Sequence, residues 1–443
     1  MRFPGLPLTL SVFAAALAVP AHRAHGNGRP AAVATVTFDP NAASRLVVGA
    51  TFGTLISEDD GQSWRLICEG PIGTAGAAID PIYRVTTTGT MLVASPNGVL
   101  YSRDGGCNFT KSAGSLATNQ AVKDIVVSPN SPMHVLAASN TAGAMNGIHV
   151  SNDGGANFSP PANPGPVNTV FLGVRFGSSD GQRAYAMSFD GSSSVTKFYV
   201  SNDGGATFAP TAYSTTGQSP PFLIGADPRD PSKVYFHARV GQPAVSTLYR
   251  STDGGASFQP VASDISTIFA ATFAQNGTLY LATNGGIRKS PDGVSISPAL
   301  AGATVVTCLG MGAQGALYGC GDTFADGFAI GKSTDEGAHW TPLLKFNQNI
   351  VGPLQCGSGT EECTMCYPAW PTFANMFGLP NQSLPMCMAG TGGSGGSGGS
   401  GGHGGGGGGC ACALGQVVTP SPLGVALLAV AGAALIVRLR RRR

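Results

Sequence analysis

One octapeptide recurs along this chain, and its first copy is Ser57-Glu-Asp59-Asp-Gly61-Gln-Ser-Trp64. The shared pattern is Ser-x-Asp-x-Gly-x-x-aromatic. Five more intact copies are Ser102–Phe109, Ser151–Phe158, Ser201–Phe208, Ser251–Phe258 and Ser333–Trp340. A degenerate copy begins at Ser290, with Val294 at the Gly position and Ser297 at the aromatic position. Seven copies, about 45 residues apart, indicate a repeat architecture.

The residue types of the octapeptide predict a strand–turn–strand unit. An apolar run such as Val99–Tyr101 precedes each Ser. The Asp carboxylate can accept from backbone N–H groups a few residues further on, as in an Asx turn. The Gly permits the positive φ that closes the hairpin. The aromatic residue begins the next strand and can pack between neighbouring sheets.

Two further strands are predicted upstream of each octapeptide. In the first repeat they are Val33–Phe38 and Leu46–Ala50, separated by a turn at Asp39-Pro40. Four short strands per repeat are typical of a propeller blade. The sequence therefore predicts an all-β protein, a seven-bladed β-propeller with hairpins at the octapeptides, over residues 27–345.

The octapeptide, preceded by an Asp-Pro turn, resembles the BNR or Asp-box repeat over residues 30–345. That family includes sialidases, sortilin-type receptors, xyloglucanase-type glycoside hydrolases and a photosystem II assembly factor. The resemblance implies the propeller fold but not a function, since one fold hosts many sites. It also implies that the box lies on an outer hairpin, away from the axial ligand face. We therefore expect structural roles for the box aspartates Asp59, Asp104, Asp153, Asp203, Asp253 and Asp335.

The N-terminus is predicted to be a secretory signal peptide over residues 1–26. Arg2 precedes an apolar stretch from Leu6 to Val19, which is followed by small residues. Seven of the 25 Lys and Arg lie in residues 1–26 and 410–443, which leaves 18 against 23 Asp and Glu, a net charge of −5. This weak acidity disfavours nucleic acid as a partner.

Residues 346–389 are predicted to form a small Cys-rich module. Export permits disulfides, and the chain has ten cysteines. Two disulfides are expected among Cys356, Cys363, Cys366 and Cys387. Another is expected between Cys308 and Cys320 across one hairpin, and the remaining pair, Cys68 and Cys107, would link blades 1 and 2. Cys363-Thr-Met-Cys366 has zinc-knuckle spacing, but no second CxxC or His pair accompanies it, so no metal or cofactor is expected.

The tail combines a Gly/Ser-rich linker at 390–409 with a sorting or transmembrane segment at 410–443. The segment contains Cys410 and Cys412, an apolar run at Leu423–Val437 and an Arg-rich end. It resembles the MYXO-CTERM sorting signal, which implies a sorting protease acting around Cys410 and a lipid attached there. A simple membrane anchor is the alternative. Both predict a propeller tethered at the cell envelope or surface.

No catalytic residue is predicted. Arginines and tyrosines suited to a sialidase are present (Arg84, Arg175, Arg183, Arg239, Tyr185, Tyr235), but the Phe-Arg-Ile-Pro motif is missing. A glycosidase needs two carboxylates at a set separation, and the sequence selects no pair among Asp124, Asp180, Asp190, Asp264, Asp322 and Asp326. His134, His149, His237 and His339 are isolated along the chain.

These features favour a non-enzymatic recognition or structural module for a protein, peptide or glycan ligand. The alternative is a surface-anchored glycoside hydrolase of the xyloglucanase or sialidase type. Convergent carboxylates at an axial mouth would favour the enzyme, whereas a mouth lined by small polar and apolar residues would favour binding.

Overall fold

The structure, a computed structural model, describes residues 25–26, 29–74, 80–118, 120–217, 219–241, 245–265, 267–299, 304–380 and 387. A short ribbon of His25–Gly26 and Arg29–Pro30 precedes the propeller. Seven sheets, here called blades 1 to 7, follow in chain order. The predicted all-β, seven-bladed propeller is confirmed.

The blades are antiparallel sheets in which consecutive strands are neighbours. Blade 1 contains Val33–Asp39, Ala42–Ala50, Gly53–Ser57 and Trp64–Cys68. Blade 2 contains Ile82–Val85, Met91–Ser95, Gly98–Ser102 and Thr110–Lys111. Blade 4 contains Thr169–Phe176, Ala184–Asp190, Val195–Ser201 and Ala209–Thr216. Blade 5 contains Phe222–Asp227, Asp230–Val240, Val245–Ser251 and Gln259–Ile265. Blade 7 contains Leu309–Met311, Leu317–Cys320, Ile330–Ser333 and Thr341–Leu344.

Two blades depart from the four-strand pattern. Blade 3 contains Val122–Ser128, Ser131–Ser139 and Ile148–Ser151. Its fourth segment, Asn157–Phe158, pairs in parallel with Ala113–Gly114 from the end of blade 2. Blade 6 contains Ile268–Phe273, Leu279–Thr283 and Gly286–Ser290. In the described part of blade 6 no fourth strand follows the degenerate octapeptide, which has no aromatic residue to begin one.

The first strands of the blades contact one another in sequence and close into a ring. The first strand of blade 7 packs on that of blade 1, where a Cβ added to Gly310 would lie 2.8 Å from the Phe38 ring. Seven apolar clusters fill the gaps between neighbouring blades. The core is therefore a set of inter-blade layers, and each blade depends on both its neighbours.

The C-terminal segment, residues 346–380 with Cys387, packs on blade 1. Its strand Ile350–Pro353 adds in parallel to Trp64–Cys68 as a fifth strand. A π-helical turn at Glu362–Cys366 leads into a helix at Tyr367–Phe377, whose Trp370 and Phe377 join the apolar cluster between blades 1 and 7. This segment thus covers the junction where the two ends of the propeller meet.

Four disulfides occur among the described residues, and the bond between Cys308 and Cys320 forms as expected. The expected link between Cys68 and Cys107 is wrong. Cys68 bonds to Cys366 and Cys107 to Cys356, because the C-terminal segment lies against the outer strand of blade 1 and the octapeptide of blade 2. Within the segment only Cys363 and Cys387 pair. Disulfides in this number are typical of an exported protein.

The two ends of the ring carry different connections. The turn face carries the turns between first and second strands together with the octapeptides. The loop face carries the connections between second and third strands and those between blades. The short Glu69–Ile72 helix lies in one such connection, between blades 1 and 2.

Candidate functional site: the loop face and the axial arginines

The octapeptide aspartates close their own turns. In the fourth copy, Asp203 accepts from Ser201 Oγ at 2.7 Å and from the Thr207 N–H at 2.9 Å. The Ser201 oxygen in turn accepts from the Gly205 N–H at 2.7 Å. The same set of bonds recurs at the other intact copies, at Asp59, Asp104, Asp153, Asp253 and Asp335. Every aspartate of the set is engaged in holding its hairpin.

The octapeptide glycine also sets the distance between blades. Gly255 has φ +92°, and a Cβ there would lie 2.2 Å from the ring of Phe198 in blade 4. Gly155 and Gly205 would meet Leu92 and Leu136 of their preceding blades at 2.5 and 2.6 Å. The turn therefore lies directly over the neighbouring blade, and any side chain at this glycine would push the two apart.

Three charged residues of the inner ring of first strands meet. Asp124 of blade 3 forms ion pairs with Arg175 of blade 4 and, at 3.7 Å, with Arg84 of blade 2. It also accepts from the Val174 N–H at 3.1 Å. The side chain of Asp124 is only 4% exposed, while the two arginines are about one-third exposed. One buried carboxylate thus pairs with two partly exposed guanidinium groups.

The axial cluster carries a net positive charge. Burial lowers the pKa of Arg84, Asp124 opposes this shift, and the neighbouring Arg175 adds to it. Guanidinium groups stay protonated in proteins. Two positive charges against one negative charge leave one unit of positive charge for a ligand anion.

Large apolar side chains are exposed mainly on the loop face. Of the nine exposed among the described residues, six lie there: Met145, Val167, Phe222, Phe269, Val305 and Phe324. Phe324 is 67% exposed and Phe222 is 56% exposed. Phe222 stacks on His237 with 5.1 Å between ring centroids. Concentration of such side chains on one surface marks an interaction site more often than scattered exposure does.

Most carboxylates considered for catalysis serve local structure. Asp180 and Asp190 accept from residues of their own turns. Asp322 accepts from two N–H groups of its loop, and Asp326 accepts from the Asp322 N–H at 2.8 Å. The Asp264 side chain lies outside the described residues. The described acids of the first strands are Asp39, Asp124 and Asp227, and each pairs with an arginine.

Four of the seven histidines were considered as metal ligands, and the structure places each in its own local environment. His149 lies between Ser115 at 2.7 Å and Ser139 at 3.1 Å, and burial lowers its pKa to about 4. Burial likewise lowers the pKa of His237 to about 4. His134 bonds to Asn152 and Gly204, and His339 to Asp335. Among the described residues no group of three or more His, Cys, Asp or Glu is arranged to hold a metal ion.

The predicted sorting residues Cys410 and Cys412, like the signal peptide, lie outside the described residues. Within the part that the structure describes, no helix is long and apolar enough to cross a membrane.

Sequence reasoning named Arg84, Asp124 and Arg175 but did not bring them together. Each is a charged residue inside an apolar first strand, as in Ile82-Tyr-Arg84-Val85. A charged residue inside an apolar strand was therefore the sequence feature that could have indicated this cluster. Their convergence depends on neighbouring blades being in register, which local sequence does not specify.

No family model and no curated protein matches the chain. Solved structures with a similar fold include a xyloglucanase of glycoside hydrolase family GH74 from Xanthomonas campestris, at 15% identity and a TM-score of 0.43, covering 70% of this chain and 60% of that one. YCF48 from Cyanidioschyzon merolae is 16% identical with a TM-score of 0.43, covering 65% and 92%. The extracellular domain of BT4673 from B. thetaiotaomicron, a one-component system by its description, is 12% identical with a TM-score of 0.45, covering 68% and 38%. The chain spans 60% of the xyloglucanase's length. It is a seven-bladed β-propeller with neighbours of several kinds, and these identities assign no activity to it.

Proposed function

We propose that this exported propeller is a non-enzymatic recognition module, and that its loop face binds a protein or peptide segment with apolar side chains. The observation that carries the proposal is the exposure of six large apolar residues on that face. Their burial by a partner would contribute roughly 25 cal/mol per Å² of apolar surface.

The axial arginines give this surface a polar determinant. Arg84 and Arg175 lie on the inner ring of first strands, both pair with Asp124, and each keeps about one-third of its side chain exposed. An Arg pair suits a carboxylate, through charge-assisted hydrogen bonds. We therefore propose that the bound segment also carries an acidic side chain or a free C-terminus that reaches these arginines.

Catalysis is the less favoured function because the axial carboxylate is already paired. A glycosidase uses one carboxyl group as acid and a second as base or nucleophile, about 5 to 10 Å apart. The other first-strand acids, Asp39 and Asp227, lie at the turn face and pair with Arg45 and Arg229.

The test is a selection of displayed random peptides on the immobilised full chain, followed by binding measurements on variants. Phe222→Ser with Phe324→Ser should weaken the selected peptides at least tenfold, as should Arg175→Gln for acidic ones. Met133→Ser is the matched control, since Met133 is 43% exposed on the turn face. The proposal would be refuted if the selected peptides bound the Phe222→Ser, Phe324→Ser variant as tightly as the wild type. Release of reducing ends from xyloglucan by the wild type would also refute it.

We further propose that the octapeptides are Asp-box repeats and that residues 410–443 are a sorting segment of the MYXO-CTERM type, with Cys410 as the lipidated residue. Membrane fractionation and mass spectrometry of the native protein test the second point. We expect a mature chain that ends near Cys410 and fractionates with membranes, and a Cys410→Ala variant that keeps its tail.

A further inference from the structure

A cavity of about 260 Å³ opens on the turn face between blades 1 and 7, opposite the proposed recognition surface. Its walls are the turns between first and second strands of the two blades. Small residues line them, namely Ala43, Gly312, Ala313 and Ala316. The Phe38 and Tyr318 rings lie at its base, edge to face, with centroids 4.9 Å apart.

Three polar side chains from both blades meet in this cavity. Asp60, from the first octapeptide, accepts from Tyr318 Oη at 3.2 Å and from Lys332 Nζ at 2.8 Å. Asp60 occupies a left-handed conformation, with φ +56°, where the next four intact octapeptides carry Gly. A non-Gly residue in this conformation is uncommon, and strain at such a position often accompanies a functional role.

The ion pair alone does not require a cavity. The same trio recurs between blades 6 and 7, where Glu336 pairs with Lys289 and accepts from Tyr280 Oη at 3.1 Å. Glu336 is also left-handed, with φ +62°. A carboxylate at this turn position is therefore a link between blades. What distinguishes the junction of blades 1 and 7 is the space that its small residues leave beside the link.

Each charged side chain on the cavity wall already has a partner of opposite charge. Asp60 pairs with Lys332, and Asp39 pairs at 3.0 Å with Arg45, which also pairs with the exposed Glu58. A charged ligand would therefore have to compete with an existing ion pair. The polar atoms supply donors and acceptors together: the Lys332 ammonium, the Asp60 carboxylate, the Gln314 amide and the Ser44 hydroxyl. Such a mixture suits a ligand rich in hydroxyl groups, which both donate and accept.

We propose that this cavity binds one neutral sugar ring. Pockets for drug-sized ligands hold about 300 to 1,000 Å³, so this smaller space suits a single ring rather than a chain. Hydroxyl groups of the sugar would bond to Asp60, Lys332 and Gln314. Its C–H faces would contact Phe38 and the alanine walls.

Saturation-transfer NMR on the full chain tests the proposal, with D-glucose, D-galactose and N-acetyl-D-glucosamine as neutral probes. Glucuronic acid and glucosamine are the charged analogues. We expect transfer to at least one neutral sugar at millimolar concentration and weaker transfer to both charged ones. Asp60→Asn should weaken binding about tenfold or more, because it removes a charge-assisted hydrogen bond. Asn tolerates the left-handed backbone, so the turn should survive.

Ala313→Leu provides a second variant, because it fills the cavity from an exposed turn without touching the ion pair. It should abolish transfer. Glu336→Gln breaks the equivalent link between blades 6 and 7 and should leave transfer unchanged. Absence of transfer to every neutral sugar, equal binding by the Ala313→Leu variant, or stronger binding of a charged analogue would each overturn the proposal.

Discussion

At the residue scale, the octapeptide glycine carries two separate constraints. Gly255 must adopt φ +92°, and it must also leave room for Phe198, a fully buried ring. The pattern of Ser, Asp and Gly was readable in the sequence because it encodes bonds between residues two and four apart. The contact with the preceding blade joins residues 57 apart and was not readable.

We expect Gly255→Ala to destabilise the protein by about 2 to 5 kcal/mol. The left-handed backbone costs an alanine about 1 to 2 kcal/mol, and overpacking against Phe198 adds about 1 to 3 kcal/mol. Gly89→Ala is the matched control, since Gly89 has φ +80° and nothing within 4 Å of its added Cβ. Urea unfolding of both variants measures the difference. Equal losses would show that the contact with Phe198 contributes nothing.

Glu362 is the most unusual buried residue. It is fully buried, and neither carboxylate oxygen has a hydrogen-bond partner. The N–H of Leu354, which lies near this carboxyl group, donates to the Leu66 carbonyl. Burial raises the pKa of Glu362 to about 8. A buried charge without a partner is costly, so the carboxyl group is held in its neutral form at neutral pH.

We expect the stability of the wild type to fall as pH rises from about 4.3, the ordinary glutamate pKa, to about 8. Between these values the unfolded chain releases the proton that the folded chain keeps, so each pH unit favours unfolding by at most about 1.4 kcal/mol. Glu362→Gln removes this dependence and should raise the melting temperature most at pH 8. Melting curves from pH 5 to pH 9 check this, and parallel curves for the two proteins would contradict it.

At the element scale, the C-terminal segment helps to hold the ring of blades closed. Blade 1 takes its first four strands from the N-terminal region, and Ile350–Pro353 adds the fifth. Trp64 strengthens the junction, because its indole N–H donates to the Leu343 carbonyl at 2.9 Å. The sequence predicted a Cys-rich module here. Its position against blades 1 and 2 depends on partners about 250 to 300 residues distant.

Replacing Cys68, Cys366, Cys107 and Cys356 with Ala should lower the free energy of unfolding by about 2 to 5 kcal/mol. These two bonds close loops of 298 and 249 residues, whereas Cys308–Cys320 closes 12. Because loop-closure entropy grows with length, the Cys308→Ala, Cys320→Ala variant should lose less. Limited proteolysis should cut near residue 350 only in the fourfold variant. A larger loss in the twofold variant would argue against this role of the segment.

At the scale of the whole molecule, repeat count and fold class were predictable because every blade carries an octapeptide that is visible in the local sequence. The axial cluster, the cavity between blades 1 and 7 and the apolar loop face were not, because each is assembled from several blades. Side chains such as Phe222 and Phe324 look like ordinary core residues in the sequence. Their exposure follows only from where the ring places their strands and loops.

The octapeptide turns, repeated around the ring, should make the protein sensitive to acid. Hydrogen bonds from the backbone and side chain of His339 lower the pKa of Asp335 to about 2. Burial raises the pKa of Asp253, but bonds from Ser257 outweigh it and lower the value to about 2. A lowered pKa means stability that is complete above the ordinary aspartate pKa, about 3.9, and is lost as pH falls towards 2.

We therefore expect the stability of the wild type to be greatest between about pH 4 and 5. Above this range the raised pKa of Glu362 lowers the stability, and below it protonation of the turn aspartates does so. Urea unfolding from pH 2 to pH 8 measures the profile. Asp335→Asn should be destabilising at pH 7 and nearly neutral at pH 2. A stability maximum at pH 7 or above would contradict this account.

The position of the closing strand has a consequence for the order of events during synthesis. Blade 1 is made before the other six blades, yet its outer strand pairs with Ile350–Pro353, which follows all seven blades in the chain. Until then Trp64–Cys68 presents an unpaired strand edge, which invites pairing with other chains. Blade 1 is therefore completed only after all seven blades have been made.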